Sequence, residues 1–114
     1  MSEDADLKPH WFQILLALAD RELHGTAIMD DVLERTDGRM RLWPGTLYGS
    51  LSDLADAGLI RETDPPEGAP TEGGKRRFYS ITPRGRDALR DEVRTLVSYV
   101  ETARARGVSG PEPA

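Results

Sequence analysis

The fold is decided by residues 44–63, which read PGTLYGSLSDLADAGLIRET. Pro44 suits the first turn of a helix, where its missing N–H is not needed, and Gly58 suits the left-handed residue that ends one. Apolar side chains recur between them at helical spacing. They are Leu47, Leu51, Leu54 and Ala55. Residues 59–63 are typical of a β-strand, so the stretch predicts a helix that runs directly into a strand.

Two further helices are predicted before this stretch. Five apolar residues of the first follow the spacing of an amphipathic helix, and Pro9 falls in its first turn. They are Leu7, Trp11, Ile14, Leu15 and Leu18. The second helix is predicted at residues 26–36, with Gly38 just beyond its end. With the helix that begins at Pro44, these elements are typical of a helix-turn-helix.

A basic hairpin is predicted after the three helices. Its second strand is expected at residues 77–81, and residues 65–74 before it contain three prolines and three glycines, which exclude regular structure. A hairpin loop of this length is more often functional than accidental in a compact domain. Because the loop ends in Lys75, Arg76 and Arg77, the sequence predicts a two-stranded hairpin, or wing, that projects positive charge.

The last predicted helix covers residues 83–106, with Thr82 as its N-cap. Its apolar residues recur at steps of four and three, which is the spacing of a coiled-coil seam. They are Leu89, Val93, Leu96, Val100 and Ala103. Roughly 24 residues of helix, about 36 Å, extend beyond a domain of this size. We therefore predict a dimerisation helix that packs on a second copy of the chain, and the alternative is a helix folded back on its own core.

The composition is that of one globular domain. The chain has 114 residues, of which 38% are hydrophobic and 31% charged, and this balance excludes a disordered chain. The longest apolar run, residues 14–19, is too short to cross a bilayer, and the acidic start is unlike a secretory signal. We therefore expect a cytoplasmic protein without membrane contact. The absence of cysteine excludes disulfides, thiol catalysis and thiolate zinc sites.

Positive charge is concentrated in one segment, although the net charge of the chain is −5. Residues 1–74 hold six basic and fifteen acidic side chains, a net charge of −9, and residues 91–114 hold three and four. Residues 75–90 hold six basic side chains and one acidic one, a net charge of +5. Phosphate contacts act over about one Debye length, so this local charge favours nucleic-acid binding. A solvated basic surface without a partner is the alternative.

Four parts are expected along the chain. Residues 1–6 form a disordered N-terminus, residues 7–82 a winged helix-turn-helix domain, residues 83–106 the dimerisation helix and residues 107–114 a disordered tail. The predicted fold class is mainly α with a two-stranded β-wing, an α+β arrangement.

Several short motifs, in this order, resemble those of the PadR family of transcriptional regulators. The most specific are Gly-Thr-Leu-Tyr at residues 45–48, Ala-Gly-Leu-Ile at 57–60 and Thr-Pro-Arg-Gly at 82–85. His24 and Gly25, ahead of the second helix, belong to the same pattern. The likeness spans nearly the whole chain, and the short final helix is similar to that of the small subfamily.

Three positions depart from the family pattern. Thr26 stands where tyrosine is common, and Trp43 stands where a serine commonly caps the third helix. Gly49 stands where proline is usual, and it weakens the helix by up to about 1 kcal/mol relative to alanine. These differences affect the pitch of the third helix and its base contacts.

The resemblance implies a homodimer whose third helix enters the major groove of double-stranded DNA, while the wing approaches the neighbouring minor groove or backbone. It also implies a repressor that binds a pseudo-palindromic operator and is released by a small-molecule effector. We therefore expect a sequence-specific DNA-binding transcriptional regulator. The alternative, which the acidic residues 1–74 favour, is a winged-helix module that binds protein and not DNA.

The candidate DNA-binding residues lie on the second and third helices, in the turn between them and in the wing. Outward side chains of the third helix suit base contacts, and the arginines suit phosphates. The predicted set is Thr26, Arg39, Arg41, Pro44, Gly45, Thr46, Tyr48, Ser50, Lys75, Arg76 and Arg77. The alternatives are packing of Tyr48 on the second helix, solvation of Arg39 and Arg41, and a salt bridge from one wing residue to Glu62.

An apolar pocket between two copies is the predicted effector site. Some small members of the PadR family bind flat aromatic drugs in such a cleft, so the resemblance implies a planar aromatic small-molecule effector. The predicted lining is Trp11, Phe12, Leu15, Leu96, Val97, Tyr99 and Val100. Ordinary packing is the alternative, since aromatic residues at helical spacing usually fill cores.

Catalytic and metal-binding patterns are missing from the sequence. His10 and His24 are the only histidines, and neither has a close set of acidic residues around it. The Gly-Gly-Lys at residues 73–75 lacks the spacing and the Ser or Thr of a P-loop. We therefore predict no enzyme activity, no metal site and no cofactor.

Overall fold

The computed structural model describes residues 7–65 and 77–108. Its helices are α1 (Pro9–Ala17), α2 (Gly25–Arg35), α3 (Pro44–Asp56) and α4 (Pro83–Ala105), and its strands are β1 (Leu23–His24), β2 (Ile60–Thr63) and β3 (Phe78–Ile81). None of the helices in these ranges is both long and apolar enough to span a membrane. The predicted N-terminus at residues 1–6, most of the tail, and wing residues Lys75 and Arg76 lie outside the described residues.

The helix boundaries follow from the residues that start and stop them. Pro9, Pro44 and Pro83 each occupy a first turn, as predicted. α2 begins one residue earlier than predicted because His24 caps it, and the Ala27 N–H donates to the imidazole Nδ1 at 3.3 Å. After α3, Gly58 adopts a left-handed φ of 80°, which lets the chain turn into β2.

The sheet is antiparallel and has three strands in the order β1-β3-β2. The two predicted strands form the hairpin β2–β3, in which Glu62 lies opposite Tyr79. The expectation of two strands missed β1, where Leu23 pairs with Tyr79 and His24 with Phe78. A strand of two residues is too short to show an alternating pattern in the sequence. Its pairing ties the start of α2 to the base of the wing.

The core lies where the first three helices pack together over the sheet. Its most completely buried side chains are Ile14, Leu15, Leu18, Ile28, Val32, Leu47 and Leu54. Two expectations for α3 are wrong, since Ser50 is buried and Ala55 is exposed. The buried positions of α3 are 47, 50, 51 and 54, so the inner face is centred closer to residue 50 than the leucines alone indicate.

α4 packs on the domain through residues 83–92, which we call its first half, and residues 93–105 are its second half. The Thr82 hydroxyl accepts the Gly85 N–H at 3.0 Å and donates to the Gly58 carbonyl at 2.6 Å. Gly85 and Leu89 are buried, whereas Val93 and the other large apolar residues after it are exposed. Leu89 belongs to the core of its own chain, which contradicts its assignment to a dimer seam.

Candidate nucleic-acid interface

The outer face of α3 presents side chains that were predicted for DNA contacts. Residues 44–46 and Tyr48 are exposed, whereas the hydroxyl-bearing Ser50 lies on the buried face, so the expectation that Ser50 points toward DNA is wrong. The N-cap residue of α3, Trp43, makes no side-chain hydrogen bond to the first turn. The first N–H groups of a helix then point outward with a partial positive charge, which suits an anion such as phosphate.

Tyr48 lies across the N-terminus of α2. Its ring approaches Gly25 so closely that a Cβ there would lie 2.9 Å from the ring carbon Cζ and would overlap the phenol oxygen. Tyr48 is nevertheless 49% exposed, so it packs on α2 and also reaches solvent. Thr26, the residue after Gly25, is exposed at the same end of α2. The absence of a side chain at position 25 is what allows α2 and α3 to meet at this surface.

The turn before α3 carries two exposed arginines. The Arg39 Nε donates to the Thr36 carbonyl at 3.1 Å, and its guanidinium lies 3.9 Å from the Asp37 carboxylate. Both side chains of that ion pair are largely exposed to solvent, so it contributes little to stability. The Arg41 guanidinium carbon lies 5.2 Å from the centroid of the Trp43 ring. Both positive charges are therefore accessible to an anion.

Arg77 is the one predicted wing cation that falls within the described residues. Its Nε lies 3.3 Å from the carboxylate of Glu62 on β2, so the alternative of a salt bridge to Glu62 is what the structure contains for this residue. Both side chains are more than half exposed, so the bridge is weak and the guanidinium is able to exchange it for another anion.

Tyr79 lies at the base of the wing, where it pairs with Leu23 of β1 and Glu62 of β2. It is only 6% exposed, and burial raises the pKa of its phenol above the ordinary 10.0. The Glu62 carboxylate raises this pKa further, and the Arg77 guanidinium opposes the shift. The phenol is therefore neutral at physiological pH, and Tyr79, Glu62 and Arg77 form one polar cluster under the wing.

The residues predicted for an effector pocket differ in exposure. Trp11 and Phe12 are half-buried on α1, which packs against α4. The exposed members are Leu96, Val97, Tyr99 and Val100. Leu15 has 0% exposure in the core of its own chain, so the expectation that it lines a pocket between copies is wrong.

Two residues have structural roles that the sequence did not assign. His24 caps α2, and its ring packs edge-on against Phe78 with centroids 5.4 Å apart. Trp43 is 63% exposed and lies beside Arg41. The sequence signal for its extended backbone is Pro44, because a proline disfavours the helical conformation in the residue before it. Within residues 7–65 and 77–108, no group of three His, Cys, Asp or Glu side chains is placed to hold a metal ion.

Two proteins of known sequence are similar over most of this chain. An uncharacterized 37.1 kDa protein in a transposon of Streptomyces fradiae is 39% identical over 83 residues, which are 73% of this chain and 21% of that protein. A transcriptional regulator of Mycobacterium tuberculosis is 36% identical over 83 residues, which are 73% of this chain and 71% of that protein. The chain thus matches about a fifth of the first relative and most of the second.

Solved structures share the fold. A transcriptional regulator from Clostridium thermocellum has a TM-score of 0.68 at 21% identity, with 87% of this chain and 92% of that chain covered. A winged-helix DNA-binding protein from STIV has a TM-score of 0.67 at 18% identity, with 83% and 95% covered. PadR of Bacillus subtilis, solved in complex with operator DNA, has a TM-score of 0.64 at 20% identity, with 84% and 60% covered. These neighbours confirm the predicted winged-helix fold class.

The match to a family is equally direct. The pattern described as the transcriptional regulator PadR-like family matches residues 14–91, which is more than half of the chain. Members of this family are regulators of transcription, so the prediction that the chain is not an enzyme is confirmed. On this match and on its likeness to the mycobacterial regulator, the chain belongs to the transcriptional regulator PadR-like family.

Proposed function

We propose that the chain is a homodimeric transcriptional regulator that binds double-stranded DNA in a sequence-specific way. The observation that carries this proposal is the outer face of α3, where Thr46 and Tyr48 are exposed, and the turn that precedes this helix exposes Arg39 and Arg41. A helix presented in this way fits the major groove, and its N-terminal residues reach the base edges. The Bacillus subtilis PadR, which shares the fold and was solved with operator DNA, supports the proposal.

Each residue at the start of α3 has a role that its chemistry suits. The Thr46 hydroxyl bonds to a phosphate or its methyl group packs on a thymine methyl, and the Tyr48 hydroxyl donates to a phosphate. Gly45 and Pro44 let the backbone approach the duplex closely. Thr26 contributes a hydroxyl from the adjoining end of α2.

The basic residues supply the affinity that does not depend on sequence. Arg39 and Arg41 hold phosphates next to the major groove, and Lys75, Arg76 and Arg77 bring the wing to the neighbouring minor groove or backbone. A dimer that makes about 6–10 phosphate contacts loses about 10³–10⁵-fold in affinity between about 50 and 200 mM salt. Acidic groups elsewhere on the chain orient the molecule on DNA by repulsion.

Two copies join through the second half of α4. Val93, Leu96, Val97 and Val100 are 39–48% exposed and form an apolar row that no part of the described chain covers. Ala103 is half-buried at the end of the row. In this arrangement residues 7–82 bind DNA and residues 83–106 set the distance between two half-sites of a pseudo-palindromic operator.

Repression and its release complete the proposal. Trp11 and Phe12 on α1 lie on the helix that packs against α4, so a dimer places them near the row of exposed residues on α4. A planar aromatic effector fits between such side chains. If it binds better to a dimer whose α3 helices are not spaced for DNA, it releases the operator by shifting the population.

The test is a mobility-shift titration with duplex DNA from the promoter upstream of the gene, over a series of salt concentrations. We expect a shift that weakens steeply with salt and disappears when Lys75→Ala, Arg76→Ala and Arg77→Ala are combined. An unchanged shift from this triple variant would exclude the wing from the mechanism. No shift by the wild type, even at low salt, would favour the protein-binding alternative, and single chains alone in ultracentrifugation would rule out the dimer.

A further inference from the structure

Trp43 is a large side chain whose exposure the proposed contacts do not explain. It is 63% exposed, although its neighbours Leu42 and Leu47 are 2% and 0% exposed. A single exposed apolar residue is common on protein surfaces, so exposure alone indicates nothing. The orientation of its ring, the groove beside it and its short distance from Thr46 are more informative.

The orientation of the ring is held from two sides. Pro44 restricts the backbone of Trp43 to the extended conformation observed, with φ −78° and ψ 154°. The Arg41 guanidinium lies over the ring, 5.2 Å from its centroid. A ring held in this way loses little conformational freedom when it contacts a partner, which is the property that makes tryptophan and arginine effective at interfaces.

The ring forms one wall of a shallow groove between α2 and α3. The groove has apolar side chains from α2, Met29 and Leu33, and one acidic residue, Asp30. Arg41 is the only cation of its lining, so the lining itself is close to neutral. Such a surface suits an uncharged, partly apolar group that is flanked by an anion, and a nucleotide sugar next to its phosphate has this chemistry.

The position of Trp43 favours a contact with DNA over a contact with another protein. Trp43 is the N-cap of α3 and precedes Thr46 by three residues, so the two backbones are about 5 Å apart along the helix. A duplex that touches Thr46 therefore comes within reach of an exposed indole at position 43. The groove continues the surface that the proposed function assigns to DNA.

We propose that Trp43 and Arg41 together form a clamp on the DNA backbone at the edge of the major groove. The indole lies against a deoxyribose and donates its Nε1–H to the adjoining phosphate, and Arg41 pairs with that phosphate from the other face of the ring. This inference rests on the proposed DNA binding. The contact acts on every duplex and fixes the register of α3, because sugar and phosphate carry no base identity.

A fluorescence titration tests the contact directly, because the chain has two tryptophans. Trp11→Phe leaves Trp43 as the only indole emitter, and Trp43→Phe leaves Trp11. We expect the emission of Trp43 to change and its quenching by acrylamide to fall as promoter duplex is added, in step with the mobility shift. The Trp43→Phe protein, whose Trp11 is half-buried on α1, should show little change over the same titration.

Affinity measurements separate the parts of the clamp. Trp43→Ala should weaken binding about tenfold, for promoter and random-sequence duplexes alike, without changing the salt dependence. Trp43→Phe keeps the apolar face and loses the N–H, so we expect a loss of about threefold. Arg41→Gln should lower the salt slope by about two phosphate contacts per dimer, one from each copy. Val108→Ala, at another exposed apolar residue, is the matched control and should leave affinity unchanged.

Three outcomes would overturn the inference or its basis. If the wild type and Trp43→Ala bind equally well while the emission of Trp43 stays constant in the complex, the clamp does not exist and DNA binding stands. If the emission of Trp43 in the Trp11→Phe protein changes with protein concentration in the absence of DNA, Trp43 lies between copies of the chain and the assignment to DNA is wrong. If the wild type shifts no duplex at any salt concentration, the proposed function itself fails.

Discussion

The two halves of α4 carry the same apolar pattern and have different surroundings. In the first half, Thr82 caps the helix, Gly85 is buried and Leu89 is 7% exposed within the core. In the second half, Val93 and Leu96 are each 39% exposed, although they continue the same steps of four and three. The same apolar row of α4 is therefore buried in the core of its own chain at one end and exposed and open to a partner at the other.

The difference shows that periodicity defines a helix face and does not define what covers it. The core of a domain of this size covers about two turns of α4, and the remaining turns extend past it. Substitutions in the first half should therefore affect the free energy of unfolding, and those in the second half should affect association.

The largest effect is expected at Gly85. A Cβ there would overlap the backbone carbonyl oxygen of Leu59 and lie 2.9 Å from Cγ1 of Ile81. Gly85→Ala should therefore lower the free energy of unfolding by about 3 kcal/mol or more, measured by urea denaturation at fixed protein concentration. Gly49→Ala is the matched control, because no atom lies within 4 Å of a Cβ there, and it should stabilise the protein by up to about 1 kcal/mol. A Gly85→Ala protein as stable as the wild type would show that the contact is not close-packed.

Truncation of Leu89 should have the next largest effect. The side chain is buried in the core cluster, so Leu89→Ala removes apolar contacts and leaves a cavity. We expect a loss of about 2–3 kcal/mol in urea denaturation. If dilution to a concentration at which the chain is monomeric removed this loss, Leu89 would act through the partner and its place in the seam would be restored.

The cap at Thr82 should contribute less. Its hydroxyl makes two hydrogen bonds, one to the first turn of α4 and one to the Gly58 carbonyl before β2. Thr82→Ala should cost about 1–2 kcal/mol, and Thr82→Ser, which keeps both bonds, should cost a small part of this. Equal losses for the two variants would assign the effect to the methyl group instead of the hydroxyl.

Much of this fold is predictable from the sequence because the signals are local. Proline in first turns and the composition of the loop before β3 act within a few residues, and the four helices and the hairpin follow from them. The strand β1 is missed because two residues carry no period, and its pairing with β3 depends on residues more than 50 positions away. The prediction for Ser50 is wrong because a small polar side chain on a helix is expected to face solvent, whereas here the neighbouring elements bury it.

The candidate site is less predictable because exposure and pairing depend on geometry between elements. The approach of Tyr48 to Gly25 requires α2 and α3 to cross at that point, and the salt bridge of Arg77 requires β2 beside β3. The basic composition of the wing marks the region without showing that Arg77 already has a partner. Trp43 is visible in the sequence as a departure from the family pattern, and only its exposure beside Arg41 assigns it to the surface.

The smallest effect on folding is expected in the second half of α4. A substitution there distinguishes a helix that packs on a second copy from one that folds back on its own core. Leu96→Glu places a charge in the proposed seam, so ultracentrifugation should find single chains where the wild type forms dimers. Thr102→Glu, at an exposed position six residues further along, should leave the dimer intact. At a concentration where both proteins are monomeric, Leu96→Glu should change the free energy of unfolding by no more than about 0.5 kcal/mol, because the side chain is already exposed in one chain. A loss as large as that of Leu89→Ala under these conditions would mean that α4 folds back on its own core along its whole length.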